Sequence, residues 1–336
     1  MKIAFFSTHR FEKSFFAENP PGLSISFFDA ALNRQTAPLT QGFDCVCCFV
    51  SDQLDSATIE ILHRNKIRLI ALRSAGYNNV DLAAADRFKI PVVRVPAYSP
   101  HAVAEHASAL LLSLNRKIHR AFMRVRDLNF SLEGLVGFDL YGKTVGVIGT
   151  GRIGSVFARI MKGYGCAVLA YDPIQDEGLI RDSVAKYVGL SELYGQSDII
   201  SLHVPLLPQT NHMINKASVA QMRRGALLVN TSRGALINAS DLIEALKSGQ
   251  LAGAALDVYE EEEGIFFKDL SDQILQDDLL ARLLTFPNVL ITSHQAFLTR
   301  EALAKIAEIT FRNILDFEQG RGLPNQVSAE THLRST

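Results

Sequence analysis

The chain has 336 residues, 48% of them hydrophobic and 21% charged, with 34 basic and 35 acidic side chains. That size and composition allow two domains with sizeable cores. The balanced charge, with no block longer than the four acids Glu260 to Glu263, argues against a nucleic-acid partner, and no apolar run reaches membrane-spanning length.

The first residues, Met-Lys-Ile-Ala-Phe-Phe, run straight into Ser-Thr-His-Arg and read as a strand, too short for a signal sequence. Further strands are expected at residues 23–28, 45–50, 69–72 and 92–95, with helices near 12–18, 56–64 and 81–88 between them. Such alternation implies a parallel sheet covered on both faces. Cys45, Cys47 and Cys48 lie inside one of these strands. With no second cysteine pair and no His/Cys/Asp cluster at ligand spacing, they read as reduced core thiols of a cytosolic protein, and no metal is expected.

A single long helix is expected over residues 101–126, with an apolar stripe through Val103, Ala107, Leu110, Leu111 and Leu114. Its end is basic: Arg116, Lys117, His119, Arg120, Arg124 and Arg126. That cluster suits either a solvated helix C-terminus or a subunit interface.

The stretch Thr144-Val-Gly-Val-Ile-Gly-Thr-Gly-Arg-Ile-Gly154 organises the rest. A β-branched strand runs into Gly149, Gly151 and Gly154, a helical pattern follows, and a second strand ends in Asp172, 18 residues after Gly154. This is the order of a dinucleotide-binding unit: a tight turn at Gly149, close approach of a pyrophosphate at Gly151, close helix–strand packing at Gly154. The helix N-terminus offers N–H groups to phosphate. Asp172 can accept from both ribose hydroxyls and would repel a 2′-phosphate; no basic residue follows in Tyr171-Asp-Pro-Ile-Gln175, so NAD is expected over NADP. Strands ending near residues 148, 171, 202, 230, 258 and 293 predict six parallel strands, then a final helix over 299–318 and a polar tail. That helix is expected to return to the N-terminal domain. The division is 1–100 with 297–336 for a discontinuous substrate domain, and 101–296 for a Rossmann cofactor domain inserted into it.

Ligands in such sheets bind beyond the carboxyl ends of the strands. There the sequence places Thr231-Ser232-Arg233, then Asp257 and Glu262, then Ser293-His294. Reduction of a 2-oxo acid needs those types. Arginine clamps a carboxylate with two parallel bonds, histidine exchanges a proton with the carbonyl oxygen, and a neighbouring acid orients the ring and favours its charged form. Arg233 is assigned the clamp, His294 the acid/base, Glu262 the orienting acid. By type alone Glu260, Glu261 and Glu263 are equally available, and Asp257 may orient nicotinamide or the site itself. A serine hydrolase is disfavoured by the lack of G-x-S-x-G.

At these residues the chain resembles the D-isomer-specific 2-hydroxyacid dehydrogenase family. The motifs are Gly149–Gly154 with Asp172, His203-Val-Pro205, Asn230-Thr-Ser-Arg-Gly234, Asp257-Val-Tyr-Glu-Glu-Glu262 and Ser293-His-Gln295. With Arg73-Ser-Ala-Gly-Tyr-Asn-Asn-Val-Asp81, Arg94-Val-Pro-Ala-Tyr98, Val103-Ala-Glu-His106, Phe266-Phe267 and Ala296-Phe-Leu-Thr299, it resembles the family's fermentative, NAD-dependent D-lactate branch over nearly its whole length.

The resemblance implies two doubly wound α/β domains, the substrate domain flavodoxin-like, closing by a hinge. It implies reversible reduction of pyruvate to D-lactate by NADH, with Arg233, Glu262 and His294 catalytic, which selects Glu262 among the acids. It places NAD contacts on Gly149, Gly151, Arg152, Ile153, Gly154, Asp172, Val204, Pro205, Thr231, Ser232, Arg233 and Asp257. Pyruvate contacts fall on Ser74, Ala75, Gly76 and Tyr98 beside Arg233 and His294. Tyr98 and Phe266-Phe267 suggest a small pocket. A homodimer through the cofactor domain, or a homotetramer, is implied. Val204 departs from relatives that often carry Cys, without loss of a backbone contact. The competing readings are another 2-oxo acid, such as 2-oxoisocaproate or hydroxypyruvate, and an NAD-sensing corepressor-like binding protein.

Overall fold

The structure is a computed structural model that describes residues 1–262 and 264–330. The chain forms two compact units, Met1–Ser99 with the segment from Leu298 onward, and Pro100–Phe297.

The first unit begins with β1 (Lys2–Phe5), α1 (Arg10–Ala17), β2 (Ser24–Phe27), β3 (Cys45–Cys48), α2 (Ser56–Arg64), β4 (Leu69–Leu72), α3 (Leu82–Arg87) and β5 (Val92–Val93). Asp55 and Asp81 cap α2 and α3, their carboxylates accepting from the N–H groups of Thr58 and Ala84. β3 and β4 are buried on both faces, as apolar runs in a covered parallel sheet must be. The three cysteines of β3 are free and buried, and burial pushes their thiols well up.

The second unit follows: α4 (Pro100–Arg116), α5 (Ile118–Arg126), β6 (Thr144–Ile148), α6 (Arg152–Gly163), β7 (Ala167–Tyr171), α7 (Glu177–Arg181), β8 (Lys186–Tyr187), α8 (Leu190–Gln196), β9 (Ile199–Leu202), α9 (Lys216–Gln221), β10 (Ala226–Asn230), α10 (Ala239–Lys247), β11 (Leu251–Leu256), α11 (Asp278–Leu284) and β12 (Val289–Ile291). The strands form one parallel sheet in the order β12-β11-β10-β9-β6-β7-β8. Alternate residues feed two cores. Ile200, Leu228, Ala254 and Leu256 face one side; Ile199, Leu227, Val229 and Ala255 face the other, where α4 and α6 lie.

The chain then returns to the first unit as α12 (Arg300–Glu318) and β13 (Gln326–Val327). α12 packs on α1 and β4, with Phe311 against Phe16 at 5.4 Å. The first sheet runs β13-β5-β4-β3-β1-β2. Its parallel part, β2-β1-β3-β4-β5, is the flavodoxin-like order.

Four expectations need correction. The long helix is two helices, broken where Lys117 takes a left-handed φ of +51°. The second sheet has seven strands, because β8 adds two residues beyond β7. The first sheet is not wholly parallel: β13, in the tail read as merely polar, pairs antiparallel with β5. The helix α7, capped by Asp176, was not anticipated. Among the described residues, no helix is long and apolar enough to cross a membrane.

Candidate active site

One row of residues crosses the second sheet in register: Tyr171, Ile148, Leu202, Asn230, Leu256 and Ile291. Each is the last residue of its strand, so the segments that follow all leave from one edge. They carry Asp172, Gly149, His203 to Pro205, Thr231 to Arg233, Asp257, and Thr292 to His294. The topological switch lies beside β6, whose neighbours are β7 and β9.

The glycine loop is built for a close ligand. Gly149 has φ +92°, and an added Cβ would meet the His203 carbonyl at 2.7 Å. At Gly154 a Cβ would overlap the Gly149 carbonyl oxygen, whereas at Gly151 nothing lies within 4 Å. The N-cap of α6 has no side-chain hydrogen bond and its first turn no acid, so its N–H groups and dipole are open to an anion. Arg152 is exposed and Ile153 half-buried there. Asp172 accepts from the N–H of Thr150 at 2.7 Å and of Ile174 at 2.9 Å, one on each oxygen, leaving lone pairs for hydroxyls. Thr231 Oγ1 is buried without a partner among the described residues. An open glycine cradle, a fixed acid and an orphaned hydroxyl fit a dinucleotide.

Beside them, His203 packs on Phe157 at 4.9 Å, and burial pulls its ring down to about 3, so it is neutral at working pH. Val204 is buried, and its carbonyl accepts from Ser232 Oγ at 2.5 Å; Pro205 is exposed.

Arg233 is set by a tight turn. The buried Asn230 accepts from the Ser232 N–H at 3.0 Å and donates to the Arg233 carbonyl at 2.8 Å. A Cβ on Gly234 would overlap the Tyr259 main chain, so this turn and the 257–262 segment touch. Half-buried Arg233 donates from Nη1 to the Ser232 carbonyl at 2.7 Å, and it has no carboxylate partner among the described residues. A guanidinium so placed is available to an anionic ligand.

His294 and Glu262 meet. The ring Nδ1 lies 2.8 Å from Glu262 Oε1, while Oε2 accepts from the Tyr259 N–H at 3.2 Å. The geometry selects Glu262 from its neighbours. Glu260 pairs with His212 and accepts from the Ala239 N–H at 3.2 Å. Glu263 lies outside the described residues. With Nδ1 committed, Nε2 of His294 is the nitrogen left for chemistry. The Phe267 ring leans on the imidazole at 5.8 Å.

Asp257 directly follows β11. Its side chain is fully buried, and both oxygens hold the His294 segment: Thr292 Oγ1 at 2.5 Å, the Gln295 N–H at 2.9 Å and the Ala296 N–H at 2.8 Å. His106 Nε2, from α4, adds a contact at 3.3 Å and lies 3.2 Å from Thr292 Oγ1. Burial pushes the Asp257 carboxyl up, but these donors outweigh it and hold it below the usual range. No local signal in the sequence joins His106 to Thr292, 186 residues apart.

The remaining expected residues lie in the first unit. Ser74 follows β4 and donates to the Gly76 carbonyl at 2.7 Å, Arg94 donates to the Ala75 carbonyl at 2.7 Å, and Tyr98 follows β5.

A doubly wound sheet whose carboxyl edge carries a glycine cradle, an arginine with no carboxylate partner among the described residues and a His–Glu pair is the arrangement of a dinucleotide-dependent oxidoreductase. Residues 108–296 match the family model described as D-isomer specific 2-hydroxyacid dehydrogenase, NAD binding domain. The chain belongs to that family. It is 50% identical to 2-hydroxyacid dehydrogenase A of Aspergillus oryzae, over 99% of this chain and 97% of that one. It is 47% identical to the D-lactate dehydrogenase of Escherichia coli, over 97% and 100%. The apo structure of the Escherichia coli D-lactate dehydrogenase superposes with a TM-score of 0.89 at 46% identity, covering 97% of this chain and all of that one. A structure of the pyruvate reductase of Chlamydomonas reinhardtii gives 0.92 at 44% identity, covering 97% and 98%.

Proposed function

We propose that this enzyme reversibly reduces pyruvate to D-lactate with NADH. The observation that carries the reading is the His294 Nδ1 to Glu262 contact at 2.8 Å, on the sheet edge that also carries Arg233, a half-buried cation with no carboxylate partner among the described residues.

In this reading Arg233 binds the pyruvate carboxylate through two parallel N–H bonds, fixing the carbonyl carbon in place. Glu262 holds the Nδ1–H of His294, so the proton for the substrate sits on Nε2. His294 passes that proton to the carbonyl oxygen as it becomes the hydroxyl, and takes a replacement from solvent. In the oxidation direction the same nitrogen removes the hydroxyl proton. NADH, when bound, supplies the hydride to C2. Gly149, Gly151, Arg152, Ile153 and Gly154 hold its pyrophosphate, and Asp172 takes the ribose hydroxyls in preference to a 2′-phosphate. Val204, Pro205, Thr231 and Ser232 line the remainder. Asp257 acts on the cofactor side by fixing the His294 segment. For Ser74, Ala75, Gly76 and Tyr98 the proposed role is contact with the 2-oxo acid.

The proposed assembly is a homodimer through the second unit. No residue of α5 is buried, and Ile118, Phe122, Met123, Leu128, Phe130 and Leu132 are all exposed. A run of exposed apolar side chains of that length calls for cover by a second copy. Buried free thiols support a cytoplasmic protein.

The test is NADH oxidation against pyruvate, 2-oxoisocaproate and hydroxypyruvate, with chiral analysis of the product. Pyruvate preferred and D-lactate formed supports the reading. A preference for either other acid reassigns the substrate, and no turnover with any of the three rejects this reading.

A further inference from the structure

We propose that Tyr187, on β8, is a positioning residue for the adenosine end of the cofactor and helps to set the preference for NAD over NADP. The proposal rests on the reading that Asp172 takes the ribose hydroxyls.

β8 is only two residues long and lies at the sheet edge, paired through Ala170 opposite Tyr187. So short a ladder adds little to the sheet, and what it places is a hydroxyl. Tyr187 Oη donates to Thr150 Oγ1 at 2.7 Å and accepts from the Asp176 N–H at 2.8 Å. Thr150 is the residue between Gly149 and Gly151. It is buried, and its N–H is the donor that holds Asp172 Oδ2. Asp176 ends the 173–176 turn, whose Ile174 N–H holds Asp172 Oδ1. The Asp176 carboxylate is itself committed to the first N–H groups of α7. One phenol hydroxyl therefore ties together the two segments that grip the two oxygens of Asp172.

A carboxylate already fixed by its neighbours binds hydroxyls with less ordering cost than a mobile one. It also rejects a 2′-phosphate more strictly, because a mobile side chain turns away from like charge. Removing the Tyr187 hydroxyl leaves the Asp176 N–H and Thr150 Oγ1 without that partner and loosens both segments. The chemical step, on other strand ends, is untouched.

The experiment uses the full-length enzyme carrying Tyr187→Phe. The expected result is a rise of about five-fold in KM for NADH, the effect of one neutral hydrogen bond, and a similar fall in the NADH/NADPH ratio of kcat/KM. KM for pyruvate and kcat at saturating NADH stay as in the wild type. Thr150→Val reproduces the change, Thr150→Ser restores wild-type behaviour, and the double variant Tyr187→Phe/Thr150→Val is no worse than either single one. Unchanged NADH parameters in Tyr187→Phe, or equal losses toward NADH and pyruvate, overturn the proposal. Asp172→Ala runs alongside. If it erodes the preference for NAD while Tyr187→Phe does not, only the role of Tyr187 fails; if it leaves the preference intact, the reading of Asp172 fails, and this proposal with it.

Discussion

The main-chain N–H of His294 donates to the carbonyl oxygen of Asp257 at 2.7 Å, and the Asp257 carboxylate binds the residues on either side of His294. Together they hold a non-glycine residue at φ +48°, a conformation that persists only when its surroundings enforce it. The imidazole is thus placed by its backbone as much as by Glu262.

Asp257→Asn tests that anchoring. The amide NH₂ cannot accept from the Gln295 or Ala296 N–H, so stability at pH 7 falls by about 1–3 kcal/mol in urea titrations. The pH dependence has a definite sign. The folded-state pKa of Asp257 lies below its unfolded value, so its contribution is complete above the unfolded carboxylate range, near ~4, and is lost as pH falls through the folded value. The gap between wild type and variant therefore narrows below about pH 4. A gap constant from pH 7 to pH 3 contradicts the assignment.

Glu262→Gln leaves a side chain of the same size that still reaches Nδ1 but carries no charge. kcat is expected to fall about 10- to 100-fold, with NADH affinity unchanged by fluorescence titration. Glu261→Gln, its neighbour, is the control and keeps wild-type kcat.

Arg233→Lys replaces a planar fork with a point charge. KM for pyruvate is expected to rise about 10- to 100-fold, with a smaller change in KM for NADH. Comparable losses toward both ligands would show that Arg233 serves the cofactor loop instead of the substrate carboxylate.

Much of this site is legible in the chain because its signals are local. The Gly149 to Gly154 loop, its flanking strand and helix, and Asp172 fall within 30 residues, and polar residues at strand ends announce themselves by type. What was not legible depends on distance or on very short structure. Nothing in Asn115-Arg116-Lys117 signals the helix break, since the apolar stripe has simply run out. β8 and β13 are two residues each, below the length at which alternation has meaning. Four consecutive acids cannot be ranked by composition; the Tyr259 N–H and the His294 ring single out Glu262 in space. His106 joins Asp257 from another helix, through a contact that no spacing rule encodes.

In the proposed reaction His294 gives and takes the proton at the edge that carries Arg233 and the glycine loop. The most direct measurement is turnover by His294→Gln with saturating NADH and pyruvate, paired with NADH binding followed by fluorescence. The account predicts NADH binding within about two-fold of wild type and D-lactate formation reduced by about 10² or more. A variant that binds NADH and turns over at the wild-type rate contradicts it.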